Sequence, residues 1–352
     1  MGQKRDRSRS DFPDQLVETL APLPEPEGDG QGKPEHYDAQ RFLVHRRRQE
    51  AQHIASVLGD RDPLNSLLQV ELNSTELCNR TCWFCPRSNA DVYPNRNLSM
   101  SPGLAQKVAK DLADFGYRGR ISLSGFGEPL LNKNLAEIIG ALRTHLPKNT
   151  IDTNSNGDRL TVERIAALFD AGITFIYVNL YDSSDQEAPI RARFEEAGIP
   201  HDRYKIRPHW DSEEEDWGLI LNNRSGMIVD PENGLEIPKE PIQRPCYYPF
   251  SRLLIDWNGD VPLCSNDWGR KRIVGNVGFE SVRDIWMSDG MAEARKELMC
   301  SDRSSAPCNK CSVNGTLTGA YSFDLIADHY RETDDLNDEV WAAVLEHRET
   351  RS

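Results

Sequence analysis

The sequence predicts an α/β fold: a parallel sheet with helices outside it, open or closed into a barrel, and a smaller cysteine-bearing unit after it. Three observations predict this. Between residues 68 and 208, short segments with apolar alternation are interleaved with longer segments of helical period, and βα units of that length build parallel sheets. Short polar or glycine-rich stretches follow the strand segments, where βα loops of such folds carry function. Seven of the eight cysteines fall into two clustered sets, one inside the alternating region and one after it.

In chain order, residues 1–35 read as disordered, because KRDRSRS and then PLPEPEGDGQGKP cannot bury enough apolar surface to offset their ordering entropy. A helical extension spans 36–67: from His36 to Leu58, Phe42, Ile54 and Val57 recur among Arg46, Arg47 and Arg48. The arginine triplet reads as a solvated helix face, with a substrate phosphate contact as the alternative. A strand follows at 68–75, where Leu68, Val70 and Leu72 alternate with Gln69, Glu71 and Asn73, and Ser74 and Thr75 mark its end. Helix 101–115 has Ser101 as N-cap, Pro102 in its first turn and Leu104, Val108, Leu112 and Phe115 on one face before Gly116. Then come a strand at Arg120–Ser124, a helix at Asn134–His145, a strand at Thr150–Ser155 and a Thr161-capped helix ending at Gly172. A strand at Ile173–Leu180, a helix at Asp185–Ala197 and a strand at Tyr204–Pro208 complete the series.

The rhythm breaks over 211–245. Asp211 to Asp216 is an acidic run that reads as a solvated loop, and Trp217–Val229 reads as a hairpin. A second hairpin is expected further on, with Leu253 and Ile255 on one strand, Asn258-Gly259 as turn, and Val261 and Leu263 on the other. Helix 281–298 follows, and residues 316–352 read as a helical tail ending in an acidic amphipathic helix near Asn337–Glu349.

At 352 residues the chain has room for two domains at about 150 residues each. Its net charge of −14 argues against nucleic-acid or anionic-membrane partners, since phosphate binding draws on clustered Lys and Arg. Clustered cysteines argue against a secreted disulfide framework. No apolar run approaches the roughly 18–20 residues of a membrane span, no signal peptide is evident, and Asp6 breaks the myristoylation pattern begun by Met1-Gly2. The expectation is a cytoplasmic, reducing-compartment protein.

The cysteine sets carry the chemistry. Cys78, Cys82 and Cys85 are spaced C-x3-C-x2-C directly after the first strand, and the next cysteine is Cys246. Three thiols on one short loop can hold three corners of a cuboidal cluster and leave one iron open; incidental thiols or half a zinc site are the alternatives. After the second strand comes Ser124-Gly125-Phe126-Gly127-Glu128-Pro129, whose glycines permit close backbone approach and whose carboxylate suits an ammonium group, with a plain glycine turn capping the strand as the alternative. After the third comes Asp152 to Gly157, with Asn154 and Asn156 suited to ribose hydroxyls or, in the plainer reading, an Asn-Gly turn. Asn179, Tyr181 and Asp182 follow the fourth strand. The second set, Cys246, Cys264, Cys308 and Cys311, can enclose a cluster completely or bind zinc.

The triplet, with Phe84 just before its last cysteine, resembles the radical S-adenosylmethionine (radical SAM) enzymes. In that family the open iron chelates the methionine part of the cofactor, and its reductive cleavage gives a 5′-deoxyadenosyl radical that removes hydrogen from substrate. The resemblance implies that Gly127 and Glu128 meet the cofactor's amino group and that Phe84, Asn154, Asn156 and Asn179 line its site. It also implies an electron donor such as flavodoxin or ferredoxin. The spacing C-x12-G-x4-C, then a long gap and C-x2-C, resembles the twitch form of the SPASM extension, implying one auxiliary [4Fe–4S] cluster. Together the resemblances imply a partial (β/α)6 TIM-like barrel over 68–243 and a twitch unit over 244–315. They point to an enzyme that uses S-adenosylmethionine to oxidise or epimerise a polar small molecule: a sugar, aminocyclitol or nucleoside. A maturase acting on a ribosomal peptide is the enzyme alternative, and a non-catalytic electron-transfer or zinc-binding protein the alternative from another class. Cys300, the odd cysteine, reads as a small buried hydrophobe, as an alternate cluster ligand, or, by analogy with relatives in aminoglycoside biosynthesis, as a hydrogen donor to a substrate radical.

Overall fold

The computed structural model describes residues 39–57, 59–209 and 221–351, with side chains from Arg46 onward. The segment expected to be disordered at the N-terminus and the acidic run at 211–216 lie outside the described residues. Helix α1 (Ala39–Val57) leads through a short 3-10 turn into β1 (Gln69–Leu72), β2 (Arg120–Leu123), β3 (Ile151–Ser155), β4 (Phe175–Leu180), β5 (Tyr204–Pro208) and β6 (Arg252–Ile255). These six strands form one parallel sheet in the order β5-β4-β3-β2-β1-β6. Helices α2 (Pro102–Asp114), α3 (Leu135–His145), α4 (Val162–Asp170) and α5 (Glu187–Glu196) follow the first four strands. Ser101 and Thr161 cap α2 and α4 as expected, their hydroxyls accepting from Leu104 N and Arg164 N at 3.2 and 3.3 Å.

Register explains both the core and the site. Val70 and Leu72 stand beside Ile121 and Leu123, and Ile121 beside Ile151; all are fully buried in one apolar cluster with the helices. The period of two then sends Gln69, Glu71, Arg120, Ser122, Asp152, Asn154, Asn179 and Arg207 to the opposite, concave face. That lumen is polar and hydrogen-bonded. Ser122 Oγ donates to Asp152 Oδ1 at 2.6 Å, Gln69 Nε2 to Glu71 Oε1 at 2.7 Å, and Arg207 Nη2 to Asn154 Oδ1 at 2.5 Å.

Three expectations need correction. The turn at Asn258-Gly259 exists, with Gly259 at φ 90°, but its first strand is β6, which pairs with β1 as the sixth barrel strand. Its second, β7 (Asp260–Pro262), pairs with β8 (Ile273–Asn276). The described part of the Trp217–Val229 hairpin, from 221 onward, carries no strand. The single helix expected at 281–298 is two, Val282–Trp286 and Asp289–Met299, because Ser288 caps the second by accepting from Met291 N at 3.3 Å. The tail is helical as read but holds two helices, Ala320–Glu332 and Asp338–Arg351. They close a second apolar cluster of Phe250, Leu298, Met299, Phe323, Ile326 and Val344. Among the described residues no helix is long and apolar enough to cross a membrane.

Candidate functional site

At the C-terminal ends of the strands lies a cavity of about 420 Å3. Cys78, Cys82, Cys85, Phe84, Gly127, Glu128, Asn154, Asn156 and Asn179 all line it. The structure therefore brings together every residue expected around the first cluster and its cofactor. The cysteine loop is held at its start by Asn95, which accepts from Cys78 N at 3.0 Å and donates to Cys78 O at 2.9 Å. It is held at its end by buried Arg87, whose Nε donates to Phe126 O at 2.6 Å and so ties it to the glycine loop. Between Cys78 and Cys82, Arg80 forks onto Asp158 at 2.6 and 2.7 Å and onto Asp182 at 2.8 Å, stapling the loop to the ends of β3 and β4. Those bonds, with the Arg80 charge, hold the Asp182 carboxyl below its usual range. Burial raises all three thiols, and Cys82 reaches about 11 with the added repulsion of Cys85 and Cys78.

The glycine loop is shaped for close contact. A Cβ on Gly127 would sit 2.1 Å from Thr75 O, and the next N–H, of Glu128, donates to Leu77 O at 2.8 Å. Glu128 is 3% exposed. Its carboxylate accepts from Ser155 Oγ and Asn156 N, each at 2.8 Å, and from Leu130 N at 3.2 Å. Burial nevertheless pushes its pKa up to about 7 against those donors. A folded-state pKa above the unfolded value means that ionising Glu128 destabilises the empty site as pH rises toward 7, and a bound cation reverses this. Phe84 stacks on Tyr181, with centroids 5.9 Å apart, and Asn179 Nδ2 donates to Tyr181 Oη at 3.3 Å.

The second set meets in a separate small cavity lined by all four of Cys246, Cys264, Cys308 and Cys311. Buried Arg303 frames it by donating to four carbonyls, Arg244 O, Pro245 O, Val313 O and Asn314 O, at 2.7–2.8 Å. Burial first, then the neighbouring cysteines, raises Cys264 well above the thiol range and Cys308 to about 12. Burial raises Cys246 too, and buried, mutually repelling thiolates are the environment a cationic metal centre relieves. Consecutive residues line the two cavities. Arg224 lines the first and Ser225 the second, both in left-handed backbone at φ 48° and 54°. Buried Asn223 anchors them, donating to Lys310 O at 2.7 Å and Glu236 O at 2.9 Å. Ser265 and Trp268, next to Cys264, also wall the first cavity.

The radical SAM superfamily model matches residues 72–205, and the SPASM iron–sulfur cluster-binding domain model matches 246–312. The S-adenosyl-L-methionine-dependent 2-deoxy-scyllo-inosamine dehydrogenase of Niallia circulans is 30% identical over 257 residues, 72% of this chain and 96% of that protein. The chain belongs to the radical SAM family. Its SPASM/twitch branch carries [4Fe–4S] clusters and uses S-adenosylmethionine, and so does this enzyme. A GTP 3′,8-cyclase from Pectobacterium atrosepticum is 31% identical, but over only 33% of this chain and 34% of its own length. Among solved structures, BtrN in complex with AdoMet and 2-DOIA superposes with a TM-score of 0.59 at 25% identity, covering 72% of this chain and 96% of that one.

The structure does not bring Cys300 to either cavity. The thiol is exposed at the C-terminal cap of helix Asp289–Met299, where its N–H donates to Glu297 O at 3.1 Å. The buried-hydrophobe reading fails equally. Sequence reasoning did not select Arg80, Arg207, Arg224, Ser265 or Trp268, all of which line the reaction cavity. Arg207 had the same signal as Asn154 and Asn179, a polar residue near the end of a predicted strand. Arg80 had a weaker one, a lone cation inside the cysteine loop.

Glu128→Ala is expected to weaken S-adenosylmethionine binding about 10- to 100-fold, the value of a charged hydrogen-bond partner. In the wild type the affinity should fall as pH drops below about 7, the value to which burial raises Glu128. In the variant this dependence should flatten, as equilibrium binding of the cofactor at several pH values will test.

Proposed function

We propose that the chain is a dehydrogenase that oxidises a hydroxyl-bearing carbon of a small polar molecule, an aminocyclitol or a closely similar sugar. The observation that carries this reading is that consecutive residues wall the two cysteine cavities, Arg224 the first and Ser225 the second, and Ser265 the first next to Cys264 of the second. The name of the Niallia circulans relative, a 2-deoxy-scyllo-inosamine dehydrogenase matched over 96% of its length, supports the substrate class.

In this reading Cys78, Cys82 and Cys85 hold the cluster that meets the cofactor, and Cys246, Cys264, Cys308 and Cys311 hold the auxiliary cluster, within a twitch unit assigned to 244–315. When bound, these groups supply the electron that cleaves S-adenosylmethionine and the acceptor for the electron released in oxidation. Glu128, with Gly127 giving it close approach, binds the cofactor's ammonium, and Phe84, Asn154, Asn156 and Asn179 position its remainder. Arg207 and Arg224, which both line the cavity, are the guanidiniums placed to meet substrate oxygens. Oxidation of a secondary alcohol removes one hydrogen atom to the 5′-deoxyadenosyl group, one proton and one electron, leaving a carbonyl. The electron donor is expected to be a flavodoxin or ferredoxin in the cytoplasm. A peptide-maturase role finds no support before β1, where the described residues hold one helix and a 3-10 turn and no strand.

Epimerisation would need a thiol to return hydrogen to the opposite face. Every cysteine lining the two cavities belongs to the cluster sets, and Cys300 is exposed outside both. Cys300→Ala is therefore expected to keep full product yield, and product formed in deuterium oxide should carry no deuterium at the reacting carbon, which becomes a carbonyl and keeps no hydrogen. Loss of product in that variant, or one deuterium in a product of unchanged hydrogen count, would overturn dehydrogenation.

A further inference from the structure

The floor of the barrel holds a second cleft of about 310 Å3, at the strand ends opposite the cysteine loop. Its wall combines the N-terminal ends of β1, β2 and β6 and the residue before β3 with one face of α1 and the turn at Thr318-Gly319. Register sets Arg120 and Arg252 on either side of Gln69, on the polar side of the sheet. Arg46 reaches them from α1, its Nη1 donating to Gln69 Oε1 at 2.8 Å, so the arginine triplet is not one solvated face: Arg47 and Arg48 are exposed, and Arg46 turns inward. Arg118 supplies a fourth guanidinium.

Against these four cations the cleft wall carries one carboxylate, Glu50, whose oxygens accept from Gly319 N at 3.0 and 3.2 Å. Behind the wall, Asp152 lies 3.4 Å from Arg120 Nε and offsets that charge. Arg252 donates to Thr318 Oγ1 at 2.9 Å and also feels Glu50, Arg118 donates to Ser56 O at 2.8 Å, and Glu71 and Asp152 act on Arg46 as well as on Arg120. Burial, with repulsion from Arg120 and Arg252, holds Arg46 down to about 9. A floor that served packing alone would be apolar, as barrel interiors filled by Val, Ile and Leu are. Guanidiniums converging from below, from β2 and from β6 instead match a tetrahedral dianion, which takes forked hydrogen bonds from several directions.

We propose that this cleft is a phosphate-binding site, separate from the reaction cavity, for free phosphate or the phosphate group of a small metabolite. Its volume is at the lower end of small-molecule sites, about 300–1,000 Å3, so a monophosphorylated sugar fits the size class. Arg46 and Glu71 line the reaction cavity as well, and the chain Arg46–Gln69–Glu71 connects an occupant of the floor to the underside of that cavity.

The test uses anaerobically reconstituted enzyme at fixed ionic strength, with chloride exchanged for inorganic phosphate or for glucose 6-phosphate. Either anion should raise the thermal midpoint saturably, by about 3–6 °C. Arg118→Gln/Arg252→Gln should weaken binding at least about tenfold, the loss of roughly one charged hydrogen bond, and leave formation of 5′-deoxyadenosine from S-adenosylmethionine intact. A larger shift with glucose 6-phosphate identifies a metabolite site, and equal shifts identify a site for the free ion; both support the proposal. A phosphate shift no larger than that of chloride, or one retained in the variant, overturns it. Should the variant not fold, wild-type crystals soaked in selenate decide: an anomalous peak between Arg118 and Arg252 supports the site, and its absence overturns it.

Discussion

Simultaneous replacement of Cys78, Cys82 and Cys85 by alanine is expected to abolish 5′-deoxyadenosine formation and to lower bound iron from about eight to about four per chain. The effect is all-or-none because the three thiols share one loop and one cavity. Removing them leaves no ligand set facing Glu128 and Gly127. The fold should survive. The loop is fixed by Arg80 on Asp158 and Asp182, by Arg87 on Phe126 O and by Asn95 on Cys78 backbone groups, none of which needs the sulfur atoms. Iron and sulfide analysis with cofactor cleavage under dithionite measures both outcomes. Residual cleavage above a few per cent would remove the triplet from its assigned role.

Cys308→Ala/Cys311→Ala is expected to give the opposite split. The first cavity keeps its cysteines, Glu128 and glycine loop, so S-adenosylmethionine is still cleaved, while oxidised product falls at least about 100-fold because the electron leaving the substrate has lost its acceptor. Bound iron should again be about four per chain, now in the first set. Arg303 still holds four carbonyls around the emptied cavity, so the loss should exceed any change in thermal midpoint. Product formation at the wild-type rate would contradict the role given to the second set. Stoichiometric zinc retained in the first-set triple variant would assign the second set to zinc instead.

Most of the βα series was legible because the outward face of each strand is apolar and its helix begins at a clear cap. Ser101 and Thr161 show this directly. The sixth strand was not legible as such. Asn258-Gly259 is a real turn signal, but pairing is decided by distant residues, and β6 finds β1 through Gln69↔Arg252 and Leu72↔Ile255. Helix Ala320–Glu332 was missed as a separate element because its start has no side-chain cap of its own. Gly319, at φ 98°, precedes it, and the carboxylate meeting Gly319 N comes from Glu50 on α1. At the site the cysteine triplet and the glycine–glutamate turn were picked out by spacing together with the family resemblance, and the fold gathers them around one cavity. Arg207 and Arg224 were not, since an arginine's role there depends on which strand face or loop backbone aims it into the cavity. The inward turn of Arg46 escaped for the same reason: an arginine run on a helix carries no record of which residue faces the sheet.

The central claim is a two-hydrogen oxidation carried out beside two clusters, and one measurement tests it most directly. Reconstituted enzyme with dithionite, S-adenosylmethionine and 2-deoxy-scyllo-inosamine as probe is analysed by mass spectrometry for 5′-deoxyadenosine and for product. The account predicts a product two hydrogens lighter than the probe, in about one-to-one ratio to 5′-deoxyadenosine, since each oxidation consumes one radical. Brisk 5′-deoxyadenosine formation with a product of unchanged mass and inverted configuration at one carbon would contradict it.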